Sequence, residues 1–315
     1  MRYLKRVTLP WLLVAGLITG QVGSVLAQAE ERPTIAVGSL SFTESIILGE
    51  MFSLLLEDAG YEVERKLNLG VSADAHEALV SGEIDMYVEY TGGGLVAILG
   101  LPVPAASDVS ADATPASIAE RTYDIVAEAY LAEFGLVWLD EIGFNNTYAM
   151  AVTAETAEQY GLVTVSDLAE RAGEMTLGTD QELPDRQDGL QGLEAAYGIE
   201  FGDVQPGEPG LMYEAIASGD VDVIAAYTTD GRLPGLDLVL LEDDLDFFPP
   251  YFAAPVVDGE LLENNPALAE TLNQLAGRID DETMAGLNYL VDVEGETPID
   301  VARAFLTDEE LIRPT

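Results

Sequence analysis

EIDMYVEYTGGG, residues 83–94, is the stretch whose reading decides the fold. Its alternating first part predicts a strand, which runs without an ordinary turn into Tyr90, Thr91 and three glycines. Glycines there leave the backbone bare, as a close approach by a ligand or another part of the chain would require. Just upstream, SADAHEALVSGE predicts a helix closed by Gly82. Further upstream, TIAVG is a short apolar strand, and YEVERKLNLG alternates as a second one. Between these two, SFTESIILGEMFSLLLEDAG has helical apolar spacing at Ile46, Ile47, Met51, Leu54 and Leu55, and stops at Gly60. This βαβαβ run predicts a mostly parallel, right-handed α/β lobe.

The same unit recurs. GLMYEAIASGDVDVIAAYTTDG repeats the helix–glycine–strand pattern of residues 73–91, which predicts a second, similar lobe. Between the two lie a polar loop (ASDVSADATPAS), a helix through IAERTYDIVAEAYLAEFG, and strands at LVWLDE, TYAMAVT and MTLGTD. TVSDLAERAG predicts a helix with Ser166 as N-cap, and GLQGLEAAYG another helix. LDLVLLEDD and YFAAPVV read as return strands, and two C-terminal helical segments are expected to pack on the first lobe. The expected division is a first lobe of residues 34–141 and 239–315 and a second of 142–238, with the chain crossing at least twice. Ligands of such folds bind at strand carboxyl ends and between lobes. EYTGGG and AAYTTDG end matching strands, so Tyr90 and Tyr227 are expected to face one another across one cleft.

The 315 residues carry 57 acidic and 13 basic side chains, a formal charge of −44. Such a field repels nucleic acid and anionic membranes, and suits a hydrated surface in high salt. At the start, Arg2, Lys5 and Arg6 precede the short apolar run LPWLLVAGLITG and the small residues of VLAQA. That order predicts a signal peptide, residues 1–27, cleaved after Ala27. The apolar run is short for a membrane span, and no cysteine follows it for lipid attachment. The expected location is the periplasm or the extracellular space.

Catalytic constellations are sparse. There is no cysteine, no Gly-x-Ser-x-Gly elbow and no phosphate loop, and the single histidine, His76, reads as a packing or surface residue. EDDLD, residues 242–246, lacks calcium-loop spacing and reads as a solvated acidic turn. No metal or cofactor is expected. The tyrosines carry more information. Tyr148 follows Asn145, Asn146 and Thr147 at a strand start, and Tyr251 follows the stiff entry FFPP. With Tyr90 and Tyr227 they predict an aromatic box for a quaternary ammonium, each well-placed ring face contributing roughly 0.5–2 kcal/mol.

The motifs GSLSFTES, LGEM, HEALVSGEIDMYVEYTGGG, NNTYAMAV, DRQDGLQGLEAAYG, YTTDGRL, FFPPYFAAPVV and LNYLVDVEG, in this order from about residue 34 to 306, resemble one family. It is that of the substrate-binding proteins of osmoprotectant ABC importers, the glycine betaine/carnitine/choline-binding, OpuBC/OpuCC/ProX-like proteins. The resemblance implies a non-enzymatic protein of the type II periplasmic binding fold, two α/β lobes closing on a ligand cleft. It implies a ring of Tyr90, Tyr148, Tyr227 and Tyr251, with Arg186 binding a ligand carboxylate. It also implies a transmembrane ABC permease as partner. A monomer is expected. Three positions depart from the family pattern. Leu40 stands for a usual lysine, Gly93 for a usual threonine, and Asn146 for a frequent aspartate. Leu40 and Gly93 remove two partners for a ligand carboxylate, Gly93 leaves space for a bulkier betaine, and Asn146 removes a negative charge near the cation. Glycine betaine, choline and larger betaines all stay open as ligands.

Three other readings compete with a transport protein. One is a ligand-sensing receptor of the same fold, separable by whether permease and ATPase genes lie nearby. Another is a periplasmic enzyme for choline-like substrates, which needs a nucleophile and base that the sequence does not offer. The last is a binding protein for a different small molecule, with the tyrosines in the core.

Overall fold

The computed structural model describes residues 32–104, 114–186 and 189–314. The expected signal peptide, residues 1–27, lies outside them. No helix among the described residues is long and apolar enough to cross a membrane.

Two five-stranded sheets organise the chain. The first runs in the order β2 (Glu62–Lys66), β1 (Thr34–Gly38), β3 (Met86–Tyr90), β10 (Ala253–Asp258), β4 (Leu136–Trp138). The second runs β7 (Asp203–Pro206), β6 (Thr176–Thr179), β8 (Val223–Tyr227), β5 (Tyr148–Thr153), β9 (Leu238–Leu240). β3 is buried along its whole length, as expected of a central strand with helices on its faces.

The internal repeat is structural. SGEID and SGDVD, residues 81–85 and 218–222, each follow a helix, Ser72–Val80 and Pro209–Ser218. Gly82 and Gly219 take left-handed backbone, φ 74° and 78°, and turn the chain towards its strand. The aspartate two residues before each strand's inner run then ties down the neighbouring parallel strand. Asp85 accepts the Ala36 N–H at 2.6 Å, and Asp222 accepts that of Thr176 at 2.9 Å.

Several expectations change. The sheets are mixed: β10 is antiparallel to both β3 and β4, and β5 to both β8 and β9. Alternating hydrophobicity reports which face is buried but not strand direction. β9 pairs with β5 in the second sheet, so the chain recrosses between Leu240 and Ala253, a little past the expected residue 239. Residues Val165–Glu170 form a 3₁₀ stretch rather than a helix capped by Ser166. There Asp167 reaches back to the N–H groups of Val163 and Thr164. The acidic turn 242–246 is only partly solvated, because Asp243 accepts the hydroxyl of Tyr197 and the N–H groups of Phe247 and Phe248. It thereby holds the FFPP entry to Tyr251. The helices Pro266–Leu272 and Asp281–Asp292 pack on Thr43–Asp58 in the first lobe, as expected, and a further helix, Pro298–Asp308, packs there too. His76 packs edge-on against Tyr130 and Phe134, and burial lowers its pKa.

Candidate functional site

β3 and β8 deliver their terminal tyrosines to one cavity of about 140 Å³ between the sheets. Tyr90, Tyr148, Tyr227, Tyr251, Arg186, Asn146, Leu40 and Gly93 all line it.

On the second sheet, Tyr148 and Tyr227 are directly opposed partners of the antiparallel pair β5–β8, their ring centroids 5.1 Å apart. Both hydroxyls donate to the same oxygen of Asp180, at 2.7 and 2.6 Å, just past the end of β6. The other Asp180 oxygen accepts the N–H groups of Glu182 and Leu183. One buried carboxylate thus pins two rings by their polar ends at the cavity wall.

Tyr251 is placed by the two crossing segments. Its N–H donates to Asn145 Oδ1 at 2.7 Å, and its carbonyl accepts from Asn146 N–H at 3.1 Å. Its ring stands nearly perpendicular to that of Tyr148, with centroids 5.9 Å apart. Arg186 donates to the Tyr251 hydroxyl at 2.9 Å and to Glu182 at 3.2 Å.

Glycines 92–94 do not leave open space for a ligand; three side chains fill it. A Cβ on Gly92 would stand 2.6 Å from the Tyr251 ring, on Gly93 2.8 Å from a Glu89 carboxylate oxygen, and on Gly94 2.7 Å from Trp138. The bare backbone lets the first lobe seat Tyr251. The room expected at Gly93 is already taken by Glu89.

Sequence reasoning missed four groups. Phe42, at the start of helix Thr43–Asp58, lies between the tyrosines of the two sheets. Its ring is parallel to that of Tyr227 at 6.2 Å and tilted to that of Tyr90 at 5.8 Å. Tyr90 and Tyr227 therefore share the cavity with an aromatic ring between them.

Glu44, in the first turn of the same helix, is buried and accepts four side-chain hydrogen bonds. They come from Tyr90 (2.8 Å), Asn146 (2.8 Å), Thr229 (2.6 Å) and Asn288 (2.9 Å). Burial raises its pKa, and the four donors oppose the rise. Asn146 therefore does more than omit a charge, because its amide donates to Glu44 where an ionised aspartate would repel it.

Glu89 is fully buried beneath the cavity and pushed up to about 7 by burial, against the Tyr90 N–H and the hydroxyls of Tyr87 and Ser72. Glu182, the fourth missed group, has its pKa raised by burial, with Arg186 opposing. None of these acids is distinctive among 57 in the sequence. The FTE of GSLSFTES was the only nearby signal, and it reads first as a helix start.

Leu40, at the expected lysine position, is buried and donates its N–H to Ser45. Among the described lining residues Arg186 is the one cation, beside Glu89, Asp180, Glu182 and Glu208. Apolar ring faces backed by buried carboxylates can hold an organic cation that has no N–H to satisfy.

A family model describing the substrate-binding domain of ABC-type glycine betaine transport systems matches residues 33–308. The chain is 37% identical over 278 residues to the carnitine transport binding protein OpuCC of Listeria monocytogenes, covering 87% of this chain and 86% of that one. It is 37% identical over 304 residues to a glycine-betaine-binding protein of Pseudomonas aeruginosa, covering 93% and 92%. A crystal structure described as a glycine betaine/carnitine/choline ABC transporter superposes with a TM-score of 0.71 at 36% identity, covering 88% of this chain and 99% of that one.

Proposed function

This chain belongs to the family of substrate-binding proteins of ABC-type glycine betaine transport systems, and we propose that its cavity holds the quaternary ammonium head of a small osmolyte for delivery to a transmembrane permease. The family is one of transport, not of enzymes. In this reading the protein works outside the cytoplasmic membrane after removal of residues 1–27.

One observation carries the proposal. Four tyrosines from four separated parts of the chain line one cavity, and buried carboxylates fix the hydroxyls of three of them. Fixed hydroxyls leave the faces to meet the cation. A methylated ammonium loses little on leaving water and gains roughly 0.5–2 kcal/mol from each well-placed face.

Calorimetric titration in molar salt with choline, glycine betaine, carnitine and tetramethylammonium tests it. At least one should bind. Tyr227→Ala should weaken that binding by about 1–3 kcal/mol, through lost cation–π attraction and lost packing. A wild-type protein that binds none of the four would return the tyrosines to the role of packing residues.

A further inference from the structure

Arg186 is where the carboxylate of a betaine would be expected to dock, and the chain has already put a carboxylate there. Glu182 Oε2 lies 3.2 Å from Arg186 Nη1, while Arg186 Nη2 donates to the Tyr251 hydroxyl at 2.9 Å. The guanidinium carbon sits 5.6 Å from the centre of the Tyr251 ring, and the arginine side chain is only 9% exposed. Ser72, which opens the helix Ser72–Val80 of the first lobe, lines the same cavity as Glu182 and weakly opposes the rise of its pKa. A guanidinium and the amide at a helix start are the two groups that an incoming carboxylate would use. The guanidinium is already held by Glu182.

Among the described residues, nothing nearby makes a second anion position. Leu40 offers a hydrocarbon side chain. The space above Gly93 holds a Glu89 oxygen, 2.8 Å from where a Cβ would stand. Asp180 is already bonded to Tyr148, Tyr227 and two backbone amides. A ligand carboxylate entering here must displace Glu182 from Arg186 or lie beside it, close to Glu89 and Asp180. A ligand that carries only positive charge gains from all of these groups.

Resting on the proposed quaternary ammonium site, we propose that Glu182 is a built-in carboxylate that fills the anion position at Arg186. The cavity then selects quaternary ammonium cations without a carboxylate, of the choline type, over zwitterionic betaines. Glu182 is in this sense a specificity-determining residue.

The test is side-by-side titration of the wild type and Glu182→Gln with choline, glycine betaine and tetramethylammonium in molar salt, with thermal melts to establish that both fold. The wild type should bind choline more tightly than glycine betaine. Glu182→Gln removes the negative charge beside Arg186 Nη1 at nearly constant shape. It should tighten glycine betaine and weaken choline, moving their affinity ratio by roughly five- to tenfold, the scale of one close, partly screened charge interaction. If the wild type binds tetramethylammonium but prefers glycine betaine to choline, this inference falls and the aromatic site stands. An unchanged ratio in a folded Glu182→Gln overturns it equally. If the wild type binds none of the three, this inference fails, and if carnitine does not bind either, the aromatic site fails with it.

Discussion

Glu89 should make the protein less stable as pH rises, and its amide isostere should abolish that part of the loss. The carboxyl is fully buried on β3, and its pKa is raised from an ordinary 4.5 to about 7, chiefly by loss of water. The Tyr90 N–H and the Tyr87 and Ser72 hydroxyls lower it, and the charge of Glu182 adds to the rise. Below about pH 4.5 both folded and unfolded chains hold the proton, and Glu89 adds no pH dependence. Between about 4.5 and 7 the unfolded chain ionises while the folded one stays protonated, so stability falls as pH rises. Above 7 both are ionised and the loss is complete. A difference of about 2.5 pKa units corresponds to about 3 kcal/mol. Urea denaturation of the wild type and Glu89→Gln at pH 5 and pH 8, in the same high salt, measures it. The variant should gain about 3 kcal/mol on the wild type between the two conditions. Glu44, Glu182 and Asp230, also raised by burial, titrate in both proteins and largely cancel in the difference. Parallel stability curves for the two proteins would refute the argument.

Gly92→Ala should drive a methyl group to 2.6 Å from the Tyr251 ring, destabilising by about 1–3 kcal/mol and weakening ligand titrations. Gly286→Ala, in open space on the helix Asp281–Asp292, should stabilise by about 0.5–1 kcal/mol in the same melts. Tyr90→Phe keeps the ring but removes one of the four donors to buried Glu44. It should lower stability in urea by about 1–3 kcal/mol while changing ligand affinity less. The net charge of −44 should make the melting temperature climb from low to molar sodium chloride, more than it does in a neutral osmolyte of equal osmolality.

The parts of the fold that were legible in sequence are those written in local pattern. The helix–glycine–strand unit appears twice, and it fixed where Tyr90 and Tyr227 would emerge, because a strand's last residue lies at the sheet's carboxyl edge. The rigid FFPP entry likewise marked Tyr251. Strand direction was not legible, so the insertion of β10 between β3 and β4, antiparallel to both, came only with the structure. The site's acids were hidden for a related reason. Glu44 draws its four donors from residues 90, 146, 229 and 288, a set that no spacing rule connects. Glu182 and Arg186 are four residues apart and outside any helix, so helical periodicity could not pair them. The glycines of 92–94 were legible, but what fills the space above them was not, because Tyr251 and Trp138 arrive from other segments and Glu89, in the same stretch, folds back over Gly93.

The acidity of this chain acts differently on the surface and in the cavity. On the surface, the Debye length falls to about 3 Å in molar salt, so charges exposed to solvent hardly influence an approaching cation. Glu44, Glu89 and Asp180 are buried, so mobile ions would not come between them and a ligand in the proposed site. Their cost is desolvation, visible in the raised pKa values of Glu44 and Glu89. It is offset by hydrogen bonds from Tyr87, Tyr90, Asn146, Thr229 and Asn288. The bonds from Tyr90 to Glu44, and from Tyr148 and Tyr227 to Asp180, also hold rings that line the cavity. In the proposed reading, one set of contacts both fixes the ring hydroxyls and holds carboxylates behind the rings. If the proposed site holds a cation, attraction built this way should persist at salt concentrations that erase the field of the outer surface.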